Sequence, residues 1–169
     1  FYENVMNRYK YGGLDTPGLY LDETTMRICY SHRRLFAQLA KELVKQGDNA
    51  RAQKVLAYAE QAIPAYNVPQ VYESGSYDIA TAYASIGETG KAITLLNDLI
   101  SESRDYIDWA FSLGDSRIEM VQRECLYKFG QWNQCNELLK DMDKERYKQS
   151  NQQFEEKYMR LAQLMNYQN

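Results

Sequence analysis

Three glycines, Gly47, Gly87 and Gly130, each separate two amphipathic stretches, and they lie 40 and 43 residues apart. Around the first, Phe36, Leu39, Ala40 and Leu43 precede the glycine, and Ala52, Leu56, Ala59 and Pro64 follow it. Around the second, Ile79, Ala80 and Tyr83 precede, and Ala92, Leu96 and Leu99 follow. Alanines therefore recur at the same offsets, Ala40 with Ala80 and Ala52 with Ala92. Two antiparallel helices joined by a short turn approach closely only where small side chains stand at the crossing. Larger residues one turn away then fill the grooves beside them. This pattern confines the chain to packed helical hairpins. Apolar residues recur at three and four positions, and no stretch alternates as a strand would, so the expected class is all-α.

The local signals agree. Asp22 is placed to cap a helix in which Met26, Cys29, Tyr30, Arg33, Phe36, Ala37, Leu39, Ala40, Leu43 and Val44 recur at three and four residues, ended by Gly47. Asp48 or Asn49 starts a second helix, which Pro64 stops. A loop pinned by Pro64 and Pro69 leads to a helix from Ser76, which Gly87 closes, and Thr89 starts another. Residues 104–113 either continue that helix or form a separate turn. Asp115 is placed to cap the next, Gly130 is expected to break it, and a final helix runs from about 144 to 166. Residues 1–21, with Gly12, Gly13, Pro17 and Gly18, form an irregular lead-in. The expectation is one domain over 22–169, with hairpins at about 22–63, 76–103 and 116–142.

The helix–turn–helix units resemble the tetratricopeptide repeat. The match is closest over 33–64, with Phe36 where that family usually carries Trp. It is weaker over 76–103, and weakest over 116–142, where Gln122 and Arg123 replace the apolar–small pair. The resemblance implies an irregular tetratricopeptide-like α-α solenoid, with helix 144–166 as a cap that shields the open core.

Composition narrows the function. The chain has 169 residues, 44% of them apolar and 25% charged, with a net charge of −3. Those values suit a globular domain and argue against nucleic acid as a partner, since phosphate neutralisation needs a basic surface. Apolar runs are far shorter than the roughly 18–20 residues of a membrane span. His32 is the only histidine, so no histidine-based metal cluster or relay can form. Cys29, Cys125 and Cys135 are too few for a disulfide framework and lack zinc spacing. With Gly130 as a turn, Cys125 and Cys135 would face each other. The alternative is two buried thiols filling tight helix contacts. No catalytic residues, metal ligands or cofactor emerge, and the stretch is not expected to be an enzyme.

Fifteen tyrosines are the unusual feature of the composition. Tyr30, Tyr66, Tyr72, Tyr77 and Tyr83 cluster about the first inter-repeat loop, and tyrosine offers a large contact area with few rotors and a polar tip. His32, Arg33, Arg34, Tyr66, Tyr72 and Tyr77 are the candidate groove, for a protein or peptide partner or, alternatively, a glycan. The other readings are a salt-bridged helix surface at His32–Arg34 and ordinary packing of the tyrosines. Tyr106, Trp109 and Phe111 form a second aromatic group that would mark a partner surface if exposed.

Four short stretches carry a further resemblance: residues 9–15 (Tyr-Lys-Tyr-Gly-Gly-Leu-Asp), 20–23 (Tyr-Leu-Asp-Glu), 32–36 (His-Arg-Arg-Leu-Phe) and 66–69 (Tyr-Asn-Val-Pro). Together they are similar to the tetratricopeptide-like C-terminal soluble region of a Bacteroidetes multi-pass membrane protein family related to protein O-mannosyltransferases. That resemblance implies a glycosyltransferase-like membrane part upstream of Phe1, with catalysis located there. It further implies a soluble tail facing the periplasm, touching the membrane only through the missing region. The expected function is a non-catalytic interaction domain.

Overall fold

The computed structural model describes residues 1–166, the side chains of Ser116 and Asn166 excepted. The final three residues of the expected domain, 167–169, lie outside the described residues. Among the described residues the chain is helical, with no strand.

Helix α1, Glu23–Lys45, starts as its cap dictates: the Asp22 carboxylate accepts the Thr25 N–H at 2.9 Å. It ends where the chain turns left-handed at Gly47, with φ +78°. There the Gly47 N–H donates to Val44 O and the Asp48 N–H to Leu43 O, each at 2.9 Å. This Schellman pair satisfies carbonyls the helix would leave bare. Asp48 then caps α2, Asn49–Ala62, accepting the Arg51 N–H at 3.0 Å. The same device follows α3, Ser76–Ser85, where Gly87 N–H donates to Ala84 O at 3.1 Å and Glu88 N–H to Tyr83 O at 3.0 Å. Helix α4 spans Thr89–Ser112, so residues 104–112 continue it rather than forming a separate turn.

The chain divides into two compact units, Phe1–Leu95 and Leu96–Asn169, with the boundary inside α4. In the first, α1 packs on both α2 and α3. Ala40, Ala52, Ala80 and Ala92 are all fully buried, as close helix crossings require.

The second unit departs from the sequence reading. A single helix α5, Gln122–Met142, runs straight through Gly130, preceded by a 3₁₀ turn at Asp115–Val121. Gly130 is exposed and lacks the positive φ of Gly47 and Gly87. The apolar stripe crosses it without a phase break: Cys125, Phe129, Trp132, Cys135 and Leu139 are all buried. A glycine inside a helix costs only about 1 kcal/mol, which burial of that stripe outweighs. No hairpin therefore forms within 116–142. The hairpin is α5 with α6, Lys144–Asn166, turned at Asp143, which caps α6 by accepting the Arg146 N–H at 3.0 Å. Phe129 meets Phe154 and Tyr158, and Trp132 meets Phe154, so the pair is antiparallel. The helix expected as a cap is thus the second arm of this hairpin. Helix α4 runs parallel to α6: Arg104 bonds Gln153, Lys157 bonds Asp108, and Arg160 lies over the Phe111 ring at 4.5 Å. No described helix is long and apolar enough to cross a membrane.

Candidate functional site

Arg33 was expected in an open groove and lies instead at 3% exposure beneath the loop from α2 to α3. Its guanidinium donates to Val68 O at 2.8 Å, Pro69 O at 3.0 Å, Ile63 O at 3.3 Å and Ser74 Oγ at 2.7 Å. The loop doubles back on itself, so its carbonyls find no partner in a ladder. One planar fork reaches them all. Burial lowers the Arg33 pKa to about 10, which leaves it charged at neutral pH. The group is occupied by its own backbone and is not offered to a ligand.

The loop in turn fixes the lead-in. Asn67 Nδ2 donates to Leu14 O at 2.7 Å and Thr16 O at 2.6 Å, and the Tyr66 hydroxyl donates to Asp15 O at 2.8 Å. Residues 9–16 are thereby strapped across α1 and α2. Tyr11 is the centre of the strap. Its hydroxyl shares a 3.1 Å hydrogen bond with His32 Nδ1, and its ring packs edge-on against His32 and Tyr58 and tilted against Phe36. Burial first, then the neighbouring Tyr58 and Tyr9, push the Tyr11 hydroxyl up to about 12. It stays protonated at physiological pH.

A cavity opens on either side of Tyr11. On the α1 side a groove of about 280 Å³ is lined by Leu14, Leu19, Leu21, Ile28 and Cys29, with Lys10 and His32 as its basic groups. Ile28 is 53% and Leu19 38% exposed, so apolar surface faces solvent at the groove. On the α2 side a smaller cavity of about 200 Å³ is lined by Tyr11, Tyr58, Asp15, Gln61, Gly12 and Gly13.

Of the six residues singled out from sequence, only His32 lines the apolar groove. Arg34 is exposed and donates to Glu73 O, and its Cγ lies beneath Gly75. Tyr66 is exposed with its hydroxyl on the strap. Tyr72 and Tyr77 are half-buried and stack on each other at 5.2 Å. The strap residues that do line the cavities were legible only as a glycine-flanked aromatic run. Their spacing obeys no helical period, so no pattern pointed to a wall.

The other singled-out groups are placed as follows. Trp109 is 48% exposed and lies 5.2 Å from Tyr106, whereas Phe111 is buried under Arg160. Cys29, Cys125 and Cys135 are buried free thiols. Cys125 and Cys135 sit ten residues apart on one helix, about 15 Å along its axis, beyond the roughly 7 Å limit for a disulfide. Among the described residues, no group of three or more His, Cys, Asp or Glu side chains is placed to hold a metal ion.

No family model, curated protein or solved structure matches this chain.

Proposed function

We propose that the chain is a tetratricopeptide-like interaction domain, and that the groove between the strap and α1 receives an apolar segment of a partner protein carrying an acidic residue. The groove carries this reading. Its floor is apolar, Ile28 and Leu19 are exposed beside it, and its one charged lining residue is Lys10, with His32 and Tyr11 as polar groups and no carboxylate. An exposed apolar surface beside basic groups favours an apolar side chain flanked by Asp or Glu. The repeat plan is supported by the buried alanines of the first unit and its two glycine turns, and by the α5–α6 hairpin of the second. On that plan the third repeat is α5 with α6, and α6 is its closing helix.

The test is an array of short apolar peptides with and without flanking Asp or Glu, read against the full chain. Acid-flanked peptides bind best, and Ile28→Asp and Lys10→Glu each weaken them about tenfold or more. Ile28 is half exposed, so its substitution leaves the melting temperature near that of the parent. Binding that ignores both substitutions removes the groove from the proposal.

A second reading rests on the smaller cavity, where two tyrosine rings stand beside the Asp15 carboxylate and the Gln61 amide. Ring faces and planar polar groups suit a sugar. Oligosaccharides that raise the melting temperature of the parent, but not of Tyr58→Ala, select this reading over the peptide groove.

The membrane setting rests on the short motifs alone. The proposal places this stretch as the periplasmic, non-catalytic tail of a glycosyltransferase-like membrane protein. A topology reporter fused after residue 169 of the parent protein tests it, and a cytoplasmic signal is incompatible with it.

A further inference from the structure

The parallel pair α4 and α6 holds a second candidate site, within the second unit and independent of the groove above. A polar groove of about 290 Å³ runs between them, lined by Asn97, Ser101 and Arg104 from α4 and by Arg146, Gln149 and Gln153 from α6, with Ser150 and Ile100 completing it. Each set recurs at three and four residues, so each lies on one helix face. No carboxylate is among the lining residues.

Farther along the same two helices, basic groups are partnered: Lys157 bonds Asp108, and Arg160 lies on the Phe111 ring. At the groove the pairing with carboxylates is only partial. Arg104 is held between the helices by neutral oxygens, with Nη1 on Gln153 Oε1 at 3.3 Å and Nη2 on Ser101 Oγ at 3.0 Å. Its nearest carboxylate, Asp105, is 3.9 Å away and largely exposed. Arg146 gives only its Nε to Asp143, at 3.0 Å, and that carboxylate also serves as the cap of α6.

The remaining hydrogen-bonding capacity is biased to one sign. Ser101 Oγ and Gln153 Oε1 are used as acceptors by Arg104, which leaves the serine O–H and the glutamine Nε2–H to donate. Arg146 keeps both terminal nitrogens. Ser150 is committed beneath them, accepting Trp132 Nε1–H at 2.8 Å and donating to Asn136 Oδ1 at 2.6 Å. The buried Asn136 Nδ2 beside it has no partner among the described residues. A groove with two guanidiniums and surplus donors is matched by a compact ligand that carries negative charge and several acceptors.

We propose that this groove binds a phosphate group, gripped by Arg104 and Arg146 and oriented by Ser101 and Gln153.

The experiment titrates inorganic phosphate into the full chain at an ionic strength held constant with chloride, reading backbone amide shifts. The expected result is saturable shifts at Ser101, Arg104 and Ser150. Arg104→Gln and Arg146→Gln each weaken binding about tenfold or more, the loss of a charge-assisted hydrogen bond. Arg123→Gln, an exposed arginine outside the groove, leaves it unchanged. Arg104→Lys keeps the charge but not the fork, and it recovers only part of the affinity. Glycerol phosphate in place of phosphate separates the sources: tighter binding assigns a phosphate ester, and equal or weaker binding assigns the free ion. Shifts that rise linearly without saturation, or that persist in the Arg104→Gln chain at the same melting temperature, overturn the proposal.

Discussion

At the scale of single residues, Arg33 shows how one side chain sets a loop. Three carbonyls and a hydroxyl converge on its guanidinium without any carboxylate. Removing it strands buried acceptors, each worth about 1–3 kcal/mol. Arg33→Met is therefore expected to lower stability by about 3 kcal/mol or more in denaturant unfolding. Arg33→Lys recovers little, because a point charge cannot span acceptors that a planar fork reaches together. Unfolding of Arg33→Met at the parent's denaturant midpoint contradicts this account. The cap carboxylates make a pH prediction. The Thr25 N–H and hydroxyl hold Asp22 below the usual carboxylate range, and the Arg51 N–H and side chain do the same for Asp48. A lowered folded pKa gives stability that is present above the unfolded value, about 4, and is lost as pH falls through the folded one. Amide exchange at Thr25 and Arg51, corrected for the intrinsic pH dependence, is expected to lose protection only below about pH 4. Unchanged protection at lower pH contradicts the capping role.

Among the elements, glycine divides the turns from the helix interior. Gly47 and Gly87 sit at φ +78° and +83°, where an L side chain is strained. Gly130 sits exposed in mid-helix, with no atom within 4 Å of an added Cβ. The same substitution thus has opposite signs. Gly87→Ala is expected to cost about 1 kcal/mol, and Gly130→Ala to add about 0.5–1 kcal/mol by restricting the unfolded chain. Thermal melts of the two variants check it, and a destabilised Gly130→Ala returns the break to α5. The first two hairpins were legible because cap, stripe and glycine all agree at Asp22–Gly47 and at Gly87. The third was misplaced because a glycine alone was read as a turn. The unbroken sequence Cys125, Phe129, Trp132, Cys135 and Leu139 was the stronger signal, since burying that stripe outweighs the glycine's propensity.

For the whole molecule, burial governs the thiols. Cys135 is pushed up to about 12 by burial and then by Glu102, and burial raises Cys29 and Cys125 as well. A thiol reagent at mildly alkaline pH is expected to find no rapidly reacting cysteine in the native chain and three after denaturation. A fast native thiol would show a region that opens without global unfolding. Helical class, the caps at Asp22 and Asp48 and the buried alanines were determined by the sequence by itself, whereas Asp115 lies within the 3₁₀ turn and caps no helix. These are local properties, set by side-chain period and by backbone groups a few residues away. Only the tertiary structure decided that Arg33 faces inward, that residues 9–16 form a wall, and that Arg104 and Arg146 share a groove. Those facts join residues from 21 to 53 positions apart across loops and between helices. The contacts that create them are long-range, and no local period encodes them.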